Sequence, residues 1–300
     1  MKDLFPVTNL TGQKPSMHMT ENTNSIAGLG WQTVASKSLA AISELFAPLD
    51  RYTTDYTNEI VAFGPGSSVT LKIEIAKTVG EAIKDAKDWN ISDVTTEAVD
   101  IVCHRYSRPF LVTSYDMAAG SRLEGKLYKA IEAVAKAVLK DLHTQIKTAQ
   151  PGVISGLTLD SFTPEYVATV LSGLIIPEVS ALTVNPTYHA KLTPYNADSL
   201  KLETGVYGIG GIYKATGLES LSDDKKTIGY MGYENAIGII SRQPLIPTDN
   251  GAIFVSELGS VGGIKMYLKQ WVLAGMEGIM HSVEAAVGSV VAMPESLRLL

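Results

Sequence analysis

The stretch that decides the fold runs from Asp116 to Thr148 and reads DMAAGSRLEGKLYKAIEAVAKAVLKDLHTQIKT. Its apolar residues recur every three or four positions, which is the period of an α-helix buried along one stripe. They are Leu123, Leu127, Ile131, Val134, Val138, Leu142 and Ile146. At about 1.5 Å per residue, such a helix would be about 50 Å long, which exceeds the width of a small domain. The pattern therefore predicts a long helix with other elements packed along it.

The opposite face of this predicted helix is charged. Glu132 precedes Lys136 by four residues, the favourable order for an ion pair along a helix. Thr113 or Ser114 can cap the start, and Gln150-Pro151-Gly152 ends the run. The other charged residues of this face are Arg122, Lys129, Lys140 and Lys147.

The residues before the helix predict three further regions. Residues 1–24 show no apolar period and are expected to form an extended arm. Residues 25–54 are the first helix region, with a helix from Ser25 to Leu49 that Pro48 stops. Residues 55–113 predict an extended hairpin loop, because Val69 to Ile75 alternates strictly and a second extended run leads directly into the long helix. Two strands alone are marginally stable in water, so this hairpin needs another surface to lie on.

The residues after the helix predict a small α/β domain and closing strands. The domain is assigned to residues 151–262, with a helix capped at Thr163 and a strand at 180–184 that Asn185-Pro186 breaks. Short glycine-rich strands follow as far as residue 262, and residues 263–300 are expected to be closing strands of the part that contains the long helix, itself assigned to 114–150.

Composition limits the class of protein. The net charge of −6 disfavours a protein whose main task is to grip nucleic acid, since such proteins usually show a basic face. Cys103 is the single cysteine, so no disulfide within the chain is expected. No stretch approaches the roughly 20 apolar residues of a membrane span, and the N-terminal residues do not resemble a signal peptide.

No motif in the sequence predicts catalysis, a cofactor or a bound metal. Gly205 to Gly211 resembles a dinucleotide loop, but Tyr213 stands where the third glycine is needed. Cys103 and His104 are neighbours in a predicted strand and should point to opposite faces. The five histidines are dispersed and show no zinc-ligand spacing. We therefore expect no catalytic, cofactor-binding or metal-binding residues.

The order of elements resembles the major capsid proteins of tailed bacteriophages, which have the Hong Kong 97-type fold. Residues Thr96 to Asp116 look like the returning strand of that family's extended loop, and Asp116 to Thr148 looks like its spine helix. Ala181 to Leu192 and Gly205 to Thr216 resemble the axial domain, and Gly275 to Leu300 resembles the closing peripheral segment. Together these segments cover nearly the whole chain.

The resemblance implies an α+β capsid fold with an N-terminal arm, an extended β-hairpin loop, a long spine helix in a peripheral domain, and a small α/β axial domain. It implies a structural protein rather than an enzyme. Copies of the chain would assemble as hexamers and pentamers into an icosahedral shell around double-stranded DNA, which they would contact weakly. Separate scaffolding, portal or decoration proteins would be partners, no membrane would be involved, and assembly in the host bacterial cytoplasm would yield the virion.

Two other hypotheses stay open at the level of sequence. An encapsulin-like nanocompartment would have the same kind of shell but would hold a cargo enzyme instead of a genome. A monomeric α/β enzyme would use the glycines between Gly208 and Gly211 as a ligand loop.

Overall fold

The computed structural model describes residues 31–46, 49–57, 70–78, 95–113, 115–116, 122–149, 158–171, 181–192, 211–215, 228–232, 236–244, 252–271 and 278–300. The helices are α1 (Trp31–Phe46), α2 (Leu49–Tyr52), α3 (Arg122–Ala149), α4 (Pro164–Leu171) and α5 (Pro186–Leu192). The strands are β1 (Thr53–Asp55), β2 (Thr70–Thr78), β3 (Thr95–Thr113), β4 (Ala181–Val184), β5 (Gly211–Lys214), β6 (Gly229–Gly232), β7 (Ile237–Arg242), β8 (Ala252–Val261), β9 (Ile264–Trp271), β10 (Gly278–Val291) and β11 (Leu297–Leu299). The predicted arm, residues 1–24, lies outside the described residues.

The long helix is present as α3, and six of the seven residues of its predicted apolar stripe are buried, while the Leu123 side chain lies outside what the structure describes. Leu127, Ile131, Val134, Val138, Leu142 and Ile146 are each at most 5% exposed. Glu132 and Lys136 form the predicted ion pair, with 2.7 Å between Oε1 and Nζ. Residues 115–116 are helical, residues 117–121 lie outside the described residues, and α3 is described from Arg122 onwards.

Gly125 offers a test of the first turns of α3. It is exposed, and nothing lies within 4 Å of the position that a Cβ atom would take. Gly125→Ala should therefore raise the free energy of unfolding by about 1 kcal/mol, because alanine loses less backbone entropy in a helix. Urea unfolding of the unassembled chain measures this change. Gly288→Ala is the control, since its Cβ would stand 2.5 Å from Ile101 Cγ2 and should destabilise the chain.

The larger sheet has the strand order β1-β7-β10-β3-β2, with β9 also paired to β10 and β8 paired to β9. α3 packs across β10 and β3, and α1 packs on α3 and β8. Gly262 and Gly263 join β8 to β9 with φ of 57° and 76°, a backbone that side-chain-bearing residues rarely adopt. The main core therefore lies between this sheet and the two helices.

The smaller sheet has the order β11-β6-β4-β5. One face continues the main core, where Tyr52 and Thr183 share a buried hydrogen bond of 2.8 Å between their hydroxyl oxygens. α4 and α5 cover the other face, and Phe162, Leu192 and Met231 are buried there. Thr163 accepts a hydrogen bond from the Tyr166 amide, so the predicted cap of α4 is confirmed.

Strand pairing differs from the grouping expected from sequence. β7 and β8 fall within the predicted axial segment 151–262, yet they pair in the larger sheet. β11 falls within the predicted closing segment 263–300, yet it pairs with β6 in the smaller sheet. The physical reason is that pairing depends on partners far away in sequence, whereas local periodicity identifies only that a strand exists. The domain boundaries themselves stay a prediction.

The extended hairpin is formed by β2 and β3. The predicted strand from Val69 to Ile75 corresponds to β2, which pairs antiparallel with residues 95–102 of β3. The run from Glu59 to Phe63, which the sequence also offers as a candidate strand before Val69 to Ile75, lies outside the described residues. β1, which pairs parallel with β7, was not predicted.

Candidate functional site

The two halves of β3 have different surroundings. Residues 103–113 pair with β10 inside the larger sheet, and residues 95–102 pair with β2. β3 is the only strand, among the described ones, that pairs with β2. The two strands therefore form a ribbon that continues beyond the point where β10 leaves β3.

Alternate backbone groups of β3 face β10, as in any antiparallel pair. The carbonyl oxygens of Val102 and Val112 lie 3.1 Å and 2.5 Å from the positions that a Cβ atom would take on Gly288 and Gly278 of β10. The N–H and C=O groups of the even-numbered residues of β3 therefore point towards β10. Those of the odd-numbered residues must point to the opposite, outer edge of the strand.

Two side chains occupy the end of this outer edge. The Thr113 amide donates to Asp116 Oδ2 at 3.1 Å, and Lys126 Nζ donates to the Leu111 carbonyl at 2.9 Å. Pro109, the next outward-facing residue, has no N–H to offer, as is typical of prolines at sheet edges. In the part of the chain that the structure describes, no strand pairs with this edge between Cys103 and Pro109.

A groove of about 480 Å³ lies between β3 and α3. β3 contributes one wall and the first half of α3 contributes the other. Two alanines lie along the helix wall between longer charged side chains. The lining residues are Arg108, Pro109, Phe110, Lys126, Lys129, Ala130, Glu132, Ala133 and Lys136.

The groove carries a net positive charge. Glu132 accepts hydrogen bonds from Lys129 at 2.8 Å and from Lys136 at 2.7 Å, so one carboxylate is shared by two ammonium groups. Lys126 pairs with Asp116 at 2.7 Å. Arg108 is exposed, and no described residue forms an ion pair with it. The groove is therefore suited to an anionic partner.

Asp116 links the end of β3 to α3. The hydrogen bond from Lys126, together with those from the Thr113 amide and hydroxyl, lowers the pKa of the Asp116 carboxyl to about 2. The carboxylate is thus held in its charged form. This contact fixes the end of β3 that borders the groove.

Asp116→Asn should reveal this contact through its pH dependence. The folded-state pKa lies below the unfolded value of about 3.9, so the carboxylate stabilises the fold above about pH 4 and loses this effect as the pH falls towards 2. The variant should therefore melt below wild type at pH 7, and the two melting temperatures should converge near pH 2. Asp160→Asn is the control, because the Asp160 side chain is 99% exposed. A constant difference at all pH values would contradict the assigned contact.

The other face of β3 carries a second charged pair. Arg105 Nη2 lies 2.6 Å from Glu284 Oε1, and the Glu284 side chain is 3% exposed. This pair borders an opening of about 280 Å³ that Lys269 and Trp271 also line. Here the Glu284 carboxylate neutralises the charge of Arg105. This opening is therefore a weaker candidate for an anionic partner than the groove beside α3.

The residues that the sequence analysis considered as possible site residues do not cluster in the structure. Cys103 is buried and His104 is exposed, which confirms that they point to opposite faces. Burial raises the pKa of the Cys103 thiol. Gly205 to Gly210 lie outside the described residues, and Gly211 begins β5 where a Cβ would meet the ring of Tyr213. Within the described ranges, no three His, Cys, Asp or Glu side chains are grouped so that they could hold a metal ion.

The sequence did not identify the groove. Lys129, Glu132 and Lys136 were recognised only as the charged face of a helix, and Arg108 was not singled out. Helical spacing puts the three α3 residues on one face, but nothing local to β3 shows that Arg108 stands opposite them.

None of the helices that the structure describes is both long and apolar enough to cross a bilayer.

Comparison with solved structures finds similar folds at low sequence identity. The chain is similar to a structure from Mycobacterium phage Che8, with 16% identity, a TM-score of 0.51, and coverage of 85% of this chain and 90% of that chain. It is also similar to the virus-like particle from Pyrococcus furiosus, with 16% identity, a TM-score of 0.54, and coverage of 90% and 97%. The capsid of cyanophage P-SCSP1u matches with 12% identity, a TM-score of 0.47, and coverage of 84% and 86%. No protein-family model and no curated protein sequence matches the chain.

The first two similarities, with TM-scores above 0.5, establish the fold. The chain has the α+β capsid fold of the Hong Kong 97 type, as its order of elements predicted. α3 is the spine helix of that fold, and the β2–β3 ribbon is its extended loop.

Proposed function

We propose that this chain, which has the Hong Kong 97-type fold, is the major capsid protein of a tailed double-stranded DNA bacteriophage. Its copies would assemble as hexamers and pentamers into an icosahedral shell around the genome. The observation that carries the proposal is the β2–β3 ribbon, because two strands that extend beyond their sheet need a surface from elsewhere. A neighbouring subunit supplies such a surface, so the chemistry of this protein is assembly rather than catalysis.

The net charge of −6 supports weak, non-specific contact with packaged DNA. A shell that bound phosphates tightly would hinder packing and release of the genome. Separate scaffolding, portal and decoration proteins are the expected partners. The virion is the expected location, after assembly in the cytoplasm of a bacterial host.

A second candidate is an encapsulin-like nanocompartment. The observation that favours it is the similarity to the virus-like particle from Pyrococcus furiosus, of which the matched region covers 97%. Such a shell would use the same ribbon contacts but would enclose a cargo protein. The two candidates differ in contents, not in architecture.

Electron microscopy of the purified chain, expressed alone and with its neighbouring genes, tests both candidates. Closed shells or rings of subunits are the expected result. Nuclease-protected DNA of uniform length inside the shells would support the phage capsid, whereas a co-purifying enzyme without DNA would support the nanocompartment. A monomer under every condition would contradict both.

A further inference from the structure

We propose that the opening of about 280 Å³ bordered by β3, β10 and β9 binds one ring of a neutral sugar. The inference goes beyond the proposed function and does not depend on it. Four properties of the opening carry it: its position on the sheet, its charge, the polar groups of its floor and its apolar walls.

The opening lies on the face of the larger sheet that points away from α3. In the strand register, Ser282 of β10 stands between Pro109 of β3 and Lys269 of β9. Val283, the next residue of β10, belongs to the main core, so Ser282 points to the other face. Neighbouring strands are about 4.8 Å apart, so Pro109 and Lys269 stand about 10 Å apart across a short serine side chain. The gap therefore suits a single ring rather than a longer ligand.

The charges of the opening favour a neutral ligand. Arg105 Nη2 lies 2.6 Å from Glu284 Oε1, so these two charges neutralise each other. A cationic ligand would be repelled by Arg105 and Lys269, and an anionic ligand would have to lie beside the Glu284 carboxylate. Lys269 Nζ lies 5.4 Å from the centre of the Trp271 ring, which already attracts this ammonium group.

The floor of the opening holds polar groups that bind hydroxyls. Ser282 is 1% exposed, and its hydroxyl lies 3.5 Å from the Val283 carbonyl, which is long for a hydrogen bond between oxygens. A buried hydroxyl held so weakly gains from a closer partner. The Glu284 carboxylate offers about four acceptor positions and the Arg105 guanidinium five N–H donors, and the bond between them uses one of each. An apolar ligand would remove water from these groups without replacing its hydrogen bonds, so the ligand has to carry hydroxyls.

The walls of the opening add an apolar surface. Trp271 and Pro109 both line it. A sugar ring carries hydroxyls around its rim and presents C–H groups on one face, and burial of that face against an aromatic ring is favourable. A sugar ring is thus neutral, polar at its edge and apolar on one face, as this opening requires.

Fluorine NMR of the full, unassembled chain tests the site. The chain has three tryptophans, Trp31, Trp89 and Trp271, and labelling with 5-fluorotryptophan gives each its own signal. The signal that Trp271→Phe removes belongs to Trp271. The probes are glucose, galactose, mannose and N-acetylglucosamine. At least one of them should shift the Trp271 signal saturably, with a dissociation constant on the order of 1 mM, because a single small ring makes few contacts.

Two variants test the assigned contacts by titration calorimetry. Ser282→Ala removes the hydroxyl of the floor, and Trp271→Leu removes the aromatic wall. Each should weaken sugar binding by about threefold to tenfold, the effect of one lost hydrogen bond or one lost ring contact. Ser260→Ala is the matched control, since Ser260 is an exposed serine of β8 outside the opening, and it should retain the wild-type affinity.

Urea unfolding shows whether these variants fold. Should Ser282→Ala fail to fold, Lys269→Met takes its place, because Lys269 is only half-buried and methionine keeps most of its apolar stem. Loss of the ammonium group as a donor should weaken sugar binding by a similar factor.

Four results would overturn the site. In the first, none of the four sugars shifts the Trp271 signal. In the second, glycerol, which has hydroxyls but no ring, shifts it as strongly as the sugars do. In the third, adenosine monophosphate binds and the sugars do not, so that the opening selects an anion. In the fourth, Ser282→Ala and Trp271→Leu both fold and bind sugar as tightly as wild type.

A free sugar and the terminal ring of a polysaccharide offer the same chemistry to the opening. The methyl glycoside of the bound sugar distinguishes these sources, and either result supports the site. A glycoside that binds as tightly as the free sugar indicates a polysaccharide end, whereas loss of binding indicates the free sugar. A chain that assembles into shells but binds no sugar would contradict this site and leave the capsid function standing.

Discussion

Val134→Asp is expected to abolish folding of the chain. Val134 is 2% exposed and belongs to the main core, between α3 and the larger sheet. A carboxylate at this position would be buried without a cationic partner, at a cost of about 5 kcal/mol or more. Since whole domains are stable by only about 5–15 kcal/mol, this one change should remove most or all of the stability. The measurement is the soluble yield, with circular dichroism of any soluble fraction.

Two control variants make this result specific. Thr144→Asp places the same carboxylate at an exposed site of α3 and should give a folded chain. Val134→Ala removes apolar volume without adding a charge and should cost about 2 kcal/mol. A folded, soluble Val134→Asp chain would show that the buried stripe of α3 has been assigned to the wrong face.

Sequence periodicity predicted the elements that are defined by local pattern. The apolar stripe of α3, the strand β2 and the break at Pro186 between β4 and α5 each appear in the structure where they were expected. In each case the pattern is local to one element: apolar residues recur with the period of a helix or of a strand, or proline cannot continue a strand. The order of these elements was enough to predict the capsid fold.

Pairing partners could not be predicted in the same way. β7 reads as a short glycine-containing strand, and all of its residues are buried. Its composition alone does not determine which of the two sheets such a strand joins. Its place between β1 and β10 depends on contacts with residues about 50 positions later and about 185 positions earlier in the chain. β11 is only three residues long and pairs with β6, about 65 positions before it.

The groove was missed for a related reason. Its charge is visible in the sequence as scattered lysines and one arginine, which are ordinary on a surface. What makes it a site is that β3 has no strand partner, among those described, along one edge from Cys103 to Pro109. The useful signal in the sequence was Pro109 within an otherwise regular strand, because proline is tolerated there only if its nitrogen faces an open edge.

His281 is expected to make the fold sensitive to mild acid. Its ring is 3% exposed and stacks on Phe110, with 5.2 Å between the ring centres. Its Nδ1 lies 3.0 Å from the Ile279 carbonyl, to which a neutral ring protonated on Nδ1 donates. Burial lowers the pKa of His281 to about 4, and the positive charge of Lys126 acts in the same direction.

The sign of the effect follows from proton uptake. The folded-state pKa lies below the unfolded value of about 6.5, so between these values the unfolded chain binds more protons. Stability is therefore complete above about pH 6.5 and falls as the pH drops to about 4, by about 3 kcal/mol in total. This range lies above the one in which Asp116 titrates, so the two effects can be told apart.

His281→Phe isolates this contribution. Phenylalanine keeps an aromatic ring against Phe110 and cannot be protonated, so the stability of the variant should change much less between pH 6.5 and 4. Chemical unfolding of the unassembled chain at a series of pH values measures the slope. His104→Gln, at an exposed position of β3, should retain the wild-type slope. If His281→Phe also retained it, the acid sensitivity would have to come from another buried group, and His143, which is 3% exposed on α3, would be the residue to replace next.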